Sequence, residues 1–285
     1  MKIGISAFAW TSSFTTAHTA LLTQVKTYGY TGFEIPMFEP ADLPRATIRK
    51  AFEETGLDCT VCGILPPGIN PISPDSAVRR RSIAHLAKCV EAAAEMGASV
   101  LAGPLLTPIG YLPGHRRGPD ENMWAAEAVQ AIGDVLTSTS VVLALEPVNR
   151  SETFFLRTAA EARDLCEAVN HPQVGVTLDT FHANIEEKRI DAAVEHLGPY
   201  LKHLHMSEND RGVLGSGHID FASILTSLDR VGFQGYFVVE GFGFSGEDNA
   251  GPGTLWADRS ISSERLAIDS LEHLITVRMS TQSAI

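Results

Sequence analysis

Four short stretches end in side chains able to hold a metal ion or move a proton: ALEP at Glu146, TLDTFH at Asp179, HLHMSE at His205 and VVEG at Glu240. Each follows an apolar run (VVLALE, VGVTLD, LKHLH or YFVVE) bounded by turn signals and separated by helical patterns, as buried parallel strands are. Side chains alternate faces along a strand. Val142, Ala144 and Glu146 therefore share a face, as do Gly175, Thr177 and Asp179. The same parity joins Leu201, His203 and His205, and joins Tyr236, Val238 and Glu240. The opposite faces, with Leu143, Leu145, Val176, Leu178, Leu204, Met206, Phe237 and Val239, suit packing against outer helices. Three carboxylates and an imidazole converging at one end of a sheet repel one another unless positive charge sits among them. A divalent metal ion is the simplest source of it. One inward acid alone is as readily a hydrogen-bonded core residue. Four with matching parity point to a metal site.

The elements that must position these groups can be read in order. KIGISAF, GFEIP, DCTVCGI and ASVLAGP precede the four runs as further strands. Helical patterns lie at Thr16–Tyr28, Leu43–Glu54, Pro74–Met96 and Asp120–Leu136, then at Thr158–Val169, Glu187–Leu197, Phe221–Val231 and Ser262–Val277. Strand and helix alternate through roughly eight units, which predicts an α/β fold, a (β/α)8 TIM barrel. A doubly wound sheet would carry a Gly-rich phosphate turn after its first strand, and SAFAWTSSF has none. The longest loops, after strands three, four and eight, all follow strand carboxyl ends, the active-site face of a barrel.

A chain of 285 residues, 44% hydrophobic and 20% charged, is ordinary globular composition. A single domain over residues 1–285 fits a barrel of roughly 250 residues. The net charge of -12 disfavours nucleic acid or an anionic membrane as the main partner. No apolar run approaches the roughly 18 residues that span a bilayer. MKIGISAFAW reads as a first strand rather than a signal peptide, and a cytoplasmic protein is expected. Cys59 and Cys62 face opposite ways on one strand, and no second C-x-x-C pair completes a zinc site. With Cys89 and Cys166 they are expected to fill core or pocket volume.

The motifs resemble the ketose 3-epimerases of the D-tagatose, L-ribulose and D-psicose (D-allulose) 3-epimerase type, in the xylose-isomerase-like barrel superfamily. The resemblance covers nearly the whole chain and is sharpest in EPVNRSETFF, VTLDTFHANIEE, HLHMSENDRGVLGSGHIDF and VVEGF; the LWADRS segment shares it. It implies one divalent ion, manganese first with cobalt or magnesium as alternatives, held by Glu146, Asp179, His205 and Glu240. It implies that Glu146 and Glu240 are the acid/base pair, and that Glu152, His182 and Arg211 hold sugar oxygens. Phe14 and Phe242 would be aromatic walls. A small-molecule ketose substrate and a homodimer or homotetramer also follow from the resemblance. The chain departs from relatives in the first strand and in the loops after strands three and four, which leaves the preferred ketose open.

The residue types suit that chemistry. The proton on C3 of a ketose is acidified only weakly by the C2 carbonyl, and a metal on O2 and O3 would act as a Lewis acid. Two carboxylates flanking the sugar can exchange the roles of base and acid. Other readings of single residues stand beside these. His182 can cap or brace its loop, Arg211 can orient Glu240 or Glu152, and Glu152 can be a surface acid. Glu34 points inward and is expected to brace a site residue. His203 lies a layer deeper than His205 as a core or supporting histidine. The aromatics Phe14, Trp10, Tyr111 and Phe242 suit core or pocket. An aldose–ketose isomerase or inosose dehydratase would share the metal and the enolisation step. An endonuclease of the same barrel needs more histidines and a basic groove. A sugar-binding barrel without catalysis has no need of paired glutamates.

Overall fold

The inward parity of the strands closes into one ring. Strands β1 (Lys2–Ser6), β2 (Gly32–Met37), β3 (Asp58–Gly63), β4 (Val100–Gly103), β5 (Val142–Leu145), β6 (Val174–Asp179), β7 (Leu201–Met206) and β8 (Tyr236–Val239) pair in sequence order, and β8 returns to β1. All pairs are parallel. This is the (β/α)8 barrel expected from the alternation. The computed structural model describes residues 2–242 and 261–283, so the LWADRS segment lies outside the described residues. Among the described residues no helix is long and apolar enough to cross a membrane.

Register shows what fills the barrel. Gly4 stands beside Gly32, Glu34 beside Thr60, and Cys62 beside Ala102. Ala102 pairs with Ala144, which pairs with Gly175. Thr177 pairs with His203, and Asp179 with His205. Small side chains on this inner face leave volume for a polar column of Glu34, His203 and His205. The outward residues Leu143, Leu145, Val176, Leu178, Leu204, Met206, Phe237 and Val239 join one large core under the helices, while Val100, Ala102 and Ala144 form a separate small cluster. One expected inward residue is corrected here. Leu201 belongs to the outer core, because β7 carries an irregularity: Val176 pairs with Leu201 but Thr177 pairs with His203. The extra residue shifts parity by one and returns His203 and His205 to the inside.

The outer layer contains α1 (Ala20–Tyr28), α2 (Arg45–Thr55), α3 (Ser76–Glu95), α4 (Pro119–Gln130), α5 (Gly133–Thr139), α6 (Ala159–Val169), α7 (Thr180–Glu186), α8 (Ile190–Leu197), α9 (Phe221–Arg230) and α10 (Ser263–Ser283). Several of their starts are set by side-chain caps. Asp75 Oδ1 accepts from Ala77 N–H at 2.7 Å, and Asp220 Oδ1 from Ser223 N–H at 3.1 Å. Thr158 and Glu161 form a reciprocal box at α6. The pattern read as one helix over Asp120–Leu136 is two, because Ile132 leaves the helical backbone just before Gly133, a weak helix former. The pattern at Glu187–Leu197 begins later, at Ile190, and α7 precedes it. Glu187 instead accepts from the first N–H of α6, at Ala159, at 2.7 Å.

The end of β4 depends on a glycine. Gly103 has φ +126°, and a Cβ there would lie 2.2 Å from the Gly63 carbonyl oxygen of β3. The Gly103 carbonyl also accepts from Glu146 N–H at 3.0 Å, which holds the end of β5 in place. Gly103→Ala is expected to lower the free energy of unfolding by more than about 1 kcal/mol, combining a disfavoured backbone region with a backbone collision. Urea denaturation checks this; an unchanged midpoint would mean that the rim relaxes without cost.

Candidate active site

Each chemical group is delivered by a strand end or by the turn just beyond it. Glu146 follows β5, Asp179 ends β6, His205 lies in β7 and Glu240 follows β8. Backbone pairing continues past the strands, since Glu240 N–H donates to the Met206 carbonyl at 3.0 Å. Ligand atoms from these four residues lie within 4.8 Å of one another. All four side chains are buried. Asp179 divides its two oxygens. Oδ1 caps α7 by accepting from Phe181 N–H at 2.8 Å, and Oδ2 faces the cluster.

Positive charge enters from the loop after β7. Arg211 Nη1 lies 2.6 Å from Glu240 Oε2 and 2.7 Å from Asp179 Oδ2, and donates to Ser207 Oγ at 2.8 Å. The Asp179 contact is close but not aligned for a hydrogen bond, so Asp179 Oδ2 remains a buried oxygen without a hydrogen-bond partner. The guanidinium is held between rings, 4.2 Å from the Phe181 centroid and 5.3 Å from that of Phe242. Phe8 backs Phe242 at 5.7 Å. Arg211 itself takes a left-handed backbone, φ 60°, uncommon for a residue with a side chain. Buried Glu208 fixes that loop by accepting from the N–H groups of Asn209, Gly215, His218 and Ile219.

His205 is gripped at both nitrogens. Nδ1 lies 2.9 Å from Glu146 Oε1 and 3.7 Å from Glu240 Oε2. Nε2 lies 3.1 Å from Glu34 Oε1, near but not hydrogen-bond aligned. Burial opposes a charge on the ring, yet Glu240, Glu34 and Glu146 together hold its pKa well above the ordinary histidine value. Glu34 also accepts from Thr60 Oγ1 at 3.1 Å and pairs with His203 Nε2 at 2.8 Å. Burial alone would raise the Glu34 pKa, but His205 and His203 hold it well below the carboxylate range. Glu34 and His203 thus stand where the inward parity placed them, behind His205.

These residues fit a divalent cation. Three carboxylates and one imidazole nitrogen are hard, mixed oxygen and nitrogen donors. Asp179 Oδ2 lies 2.7 Å from Arg211 but has no aligned hydrogen-bond donor, which leaves this buried oxygen free to take an ion. Glu34 stands behind the far nitrogen of His205, as carboxylates do behind metal-ligating histidines. Burial raises the Glu240 carboxyl pKa, with His205 and Arg211 opposing the rise.

A second group of side chains adjoins the first. His182 lies 3.5 Å from Asp179 Oδ2 through Nε2, and Arg211 Nη2 stands 3.2 Å from the same nitrogen. Burial pushes the His182 ring down to about 3, so it is neutral. Glu152 is buried rather than a surface acid, and burial raises its pKa. Asn149 joins them, 2.7 Å from Glu152 Oε1 and 2.9 Å from His182 Nδ1. The structure therefore brings together Glu146, Asp179, His205, Glu240, Glu152, His182, Arg211 and Phe242. Phe14 lies elsewhere in its contacts: it is buried in the core, with ring neighbours Phe33 at 6.0 Å and His18 at 5.6 Å. Asn149, Phe181, Ser207 and Glu208 were not singled out by the strand-end pattern, because none ends an apolar run as an inward ionisable group.

The xylose isomerase-like TIM barrel family model matches residues 22–275. A Synechocystis protein named "Probable ketose 3-epimerase" is 31% identical over 96% of each chain. The L-ribulose 3-epimerase of Mesorhizobium japonicum is 30% identical over 85% of this chain and 81% of its own. The crystal structure of D-allulose 3-epimerase from Methylomonas sp. in complex with D-allulose superposes with a TM-score of 0.91 at 26% identity, covering 97% of this chain and 96% of that one. The chain belongs to the ketose 3-epimerases, enzymes of the isomerase class within the xylose isomerase-like TIM barrel family.

Proposed function

We propose that this enzyme is a divalent-metal-dependent epimerase that inverts C3 of free ketoses of the D-tagatose, D-fructose, D-psicose and L-ribulose class. The observation that carries the reading is the buried set of Glu146, Asp179, His205 and Glu240, with two glutamates arriving from different strands. The names of the relatives support the same reaction. Glu146, Asp179, His205 and Glu240 would hold the ion, manganese first with cobalt or magnesium as alternatives. When bound, the ion supplies Lewis-acid polarisation of the sugar's oxygens.

The chain's own residues account for the proton traffic. One glutamate takes the C3 proton, the electron pair delocalises toward the C2 carbonyl, and the other glutamate returns a proton to the opposite face of C3. The return trip exchanges the two roles, so both groups must work as acid and base near neutral pH. Arg211, paired to Glu240 and pinned by Phe181 and Phe242, fixes the direction from which that carboxylate acts. With the His182 hydrogen on Nε2, that nitrogen and Arg211 Nη2, 3.2 Å apart, are both donors, and a sugar oxygen is their natural shared acceptor. Glu152 takes a hydroxyl hydrogen. An aldose–ketose isomerase would move the carbonyl instead. Deuterium from heavy water appearing at C3 of an epimer, with the carbonyl still at C2, separates the two.

Chelation is expected to abolish turnover, and Mn2+ or Co2+ to restore it. The ion should also raise the thermal midpoint, because a ligand at 100 times its Kd stabilises by about 2.7 kcal/mol. Full activity in demetallated protein, or a midpoint indifferent to the ion, would sink the metal assignment.

Glu146→Gln and Glu240→Gln are each expected to lose net epimerisation in both directions, by ~10²–10⁴-fold with metal content measured alongside. Each variant keeps one base, so each should exchange the C3 proton in a different epimer. A metal-loaded variant that epimerises at near the parent rate would refute the two-base assignment and direct attention to a single mobile base. A homodimer or homotetramer belongs to the same proposal; light scattering at working concentration should exclude a monomer, and a pure monomer would contradict it.

A further inference from the structure

The turn after β5 carries a side chain whose bonds are fully specified. Asn149 is 2% exposed. Its Oδ1 accepts from Ser151 N–H at 2.9 Å, which fixes the oxygen end of the amide. Nδ2 then directs one hydrogen to Glu152 Oε1 at 2.7 Å and the other to His182 Nδ1 at 2.9 Å. The backbone N–H of Asn149 also points at His182 Nδ1, at 3.3 Å. Two N–H groups aimed at Nδ1 leave that nitrogen only the acceptor role, so the ring hydrogen sits on Nε2.

We propose that Asn149 is a positioning residue that locks His182 in the Nε2–H tautomer, so that His182 and Arg211 present two N–H donors to one substrate oxygen. The identity of that oxygen rests on the sugar-binding reading above; the tautomer rests on the contacts of His182 within the protein, those of Asn149 first. The opposite tautomer would set an Nδ1–H against two buried donors and strip both of their acceptor, a costly loss. It would also turn a bare Nε2 toward Arg211 Nη2, 3.2 Å away, and the guanidinium would spend a hydrogen on the histidine instead of on the ligand. Asp179 Oδ2, 3.5 Å from Nε2, draws the ring hydrogen to the same side. One amide therefore sets the donor character of His182 and holds Glu152 in the same stroke, without touching the reacting carbon.

The test uses the full chain loaded with Mg2+, a diamagnetic ion, with 15N-labelled histidine. The His182 signals are assigned by their loss in His182→Gln. The parent is expected to show an unprotonated Nδ1 and a protonated Nε2. A protonated Nδ1 in the parent overturns the proposal whatever the enzyme turns over. The side chain in Asn149→Asp is isosteric but supplies no hydrogen to Nδ1, leaves only the backbone N–H there, and sets a second carboxylate against Glu152. It is expected to place a proton on Nδ1 and to lower kcat/KM for the ketose by about 10–100-fold, with metal content unchanged. Lost activity with the parent tautomer intact assigns Asn149 a merely structural part and overturns the proposal. Should Asn149→Asp not fold, Asn149→Ala leaves only the backbone N–H on Nδ1 and is expected to shift the Nδ1 resonance toward the tautomer average; an unchanged ring again overturns it. A parent that shows the Nε2–H tautomer yet turns over no ketose refutes the substrate assignment and leaves the tautomer lock standing.

Discussion

Buried negative charge is the constraint on which the rest of this molecule depends. Glu34, Glu146, Glu152, Asp179, Glu208 and Glu240 are all buried, most of them around the carboxyl end of one barrel. Carboxylates in a medium of low dielectric repel strongly and are not tolerated without compensation. The structure compensates each differently. Glu208 is answered by backbone N–H groups, Glu34 by two histidines, and Glu152 by an amide. Only Glu146, Asp179 and Glu240 share a common space, and there one guanidinium and one imidazole must balance three acids. The deficit is local and directed at Asp179 Oδ2, which has no aligned donor. The candidate cation site thus lies where the balance of charge is left incomplete.

Holding such a cluster requires rigid neighbours, and the barrel provides them by economy of volume. Glycine, alanine and threonine on the inner face admit the column of Glu34, His203 and His205, while bulky side chains face outward into the helical layer. Arg211 cannot come from a strand, since its guanidinium must reach the cluster from above. Its loop pays with a left-handed backbone at Arg211, a strained state that persists only when surroundings enforce it. The four N–H bonds on Glu208, the Ser207 hydroxyl and the Phe242 N–H on the Arg211 carbonyl are that enforcement.

Much of this was legible in the sequence because strand parity is a strict rule and strand ends are where a barrel keeps its chemistry. Glu146, Asp179, His205 and Glu240 followed from parity alone, and Glu34 and His203 from the same alternation one layer down. The rule failed at Leu201, where an irregular pairing inserts a residue; the glycine that makes room for it, Gly175, lies on the partner strand and not in β7. It was blind to α7, because Asp179 is both strand end and helix cap and leaves no turn between the two elements. It was blind to Asn149 and Glu208 for another reason. Their work is done through hydrogen bonds to backbone and to other side chains brought close by the fold, and no periodicity encodes such partners. Phe14 illustrates the converse. An aromatic near a strand end has the composition of a pocket wall, but its ring neighbours are Phe33 and His18.

The two histidines at the site show how one side chain is given opposite tasks by what stands behind it. Carboxylates surround His205: Glu34 faces Nε2 and Glu146 accepts from Nδ1 at 2.9 Å, so a charge on the ring is favoured. In the proposed metal-loaded enzyme an ion would take the place of the Nδ1 hydrogen, with Glu34 behind the ring. Amide donors back His182: two N–H groups occupy Nδ1, so the hydrogen must face forward on Nε2 beside Arg211. That is the arrangement of a donor. Both rings are buried, and neither depends on solvent to choose its state. The proposed division between a nitrogen that gives electrons to a cation and one that gives a hydrogen to an oxygen therefore rests on Glu34 and Asn149, residues outside the proposed ligand set and acid/base pair.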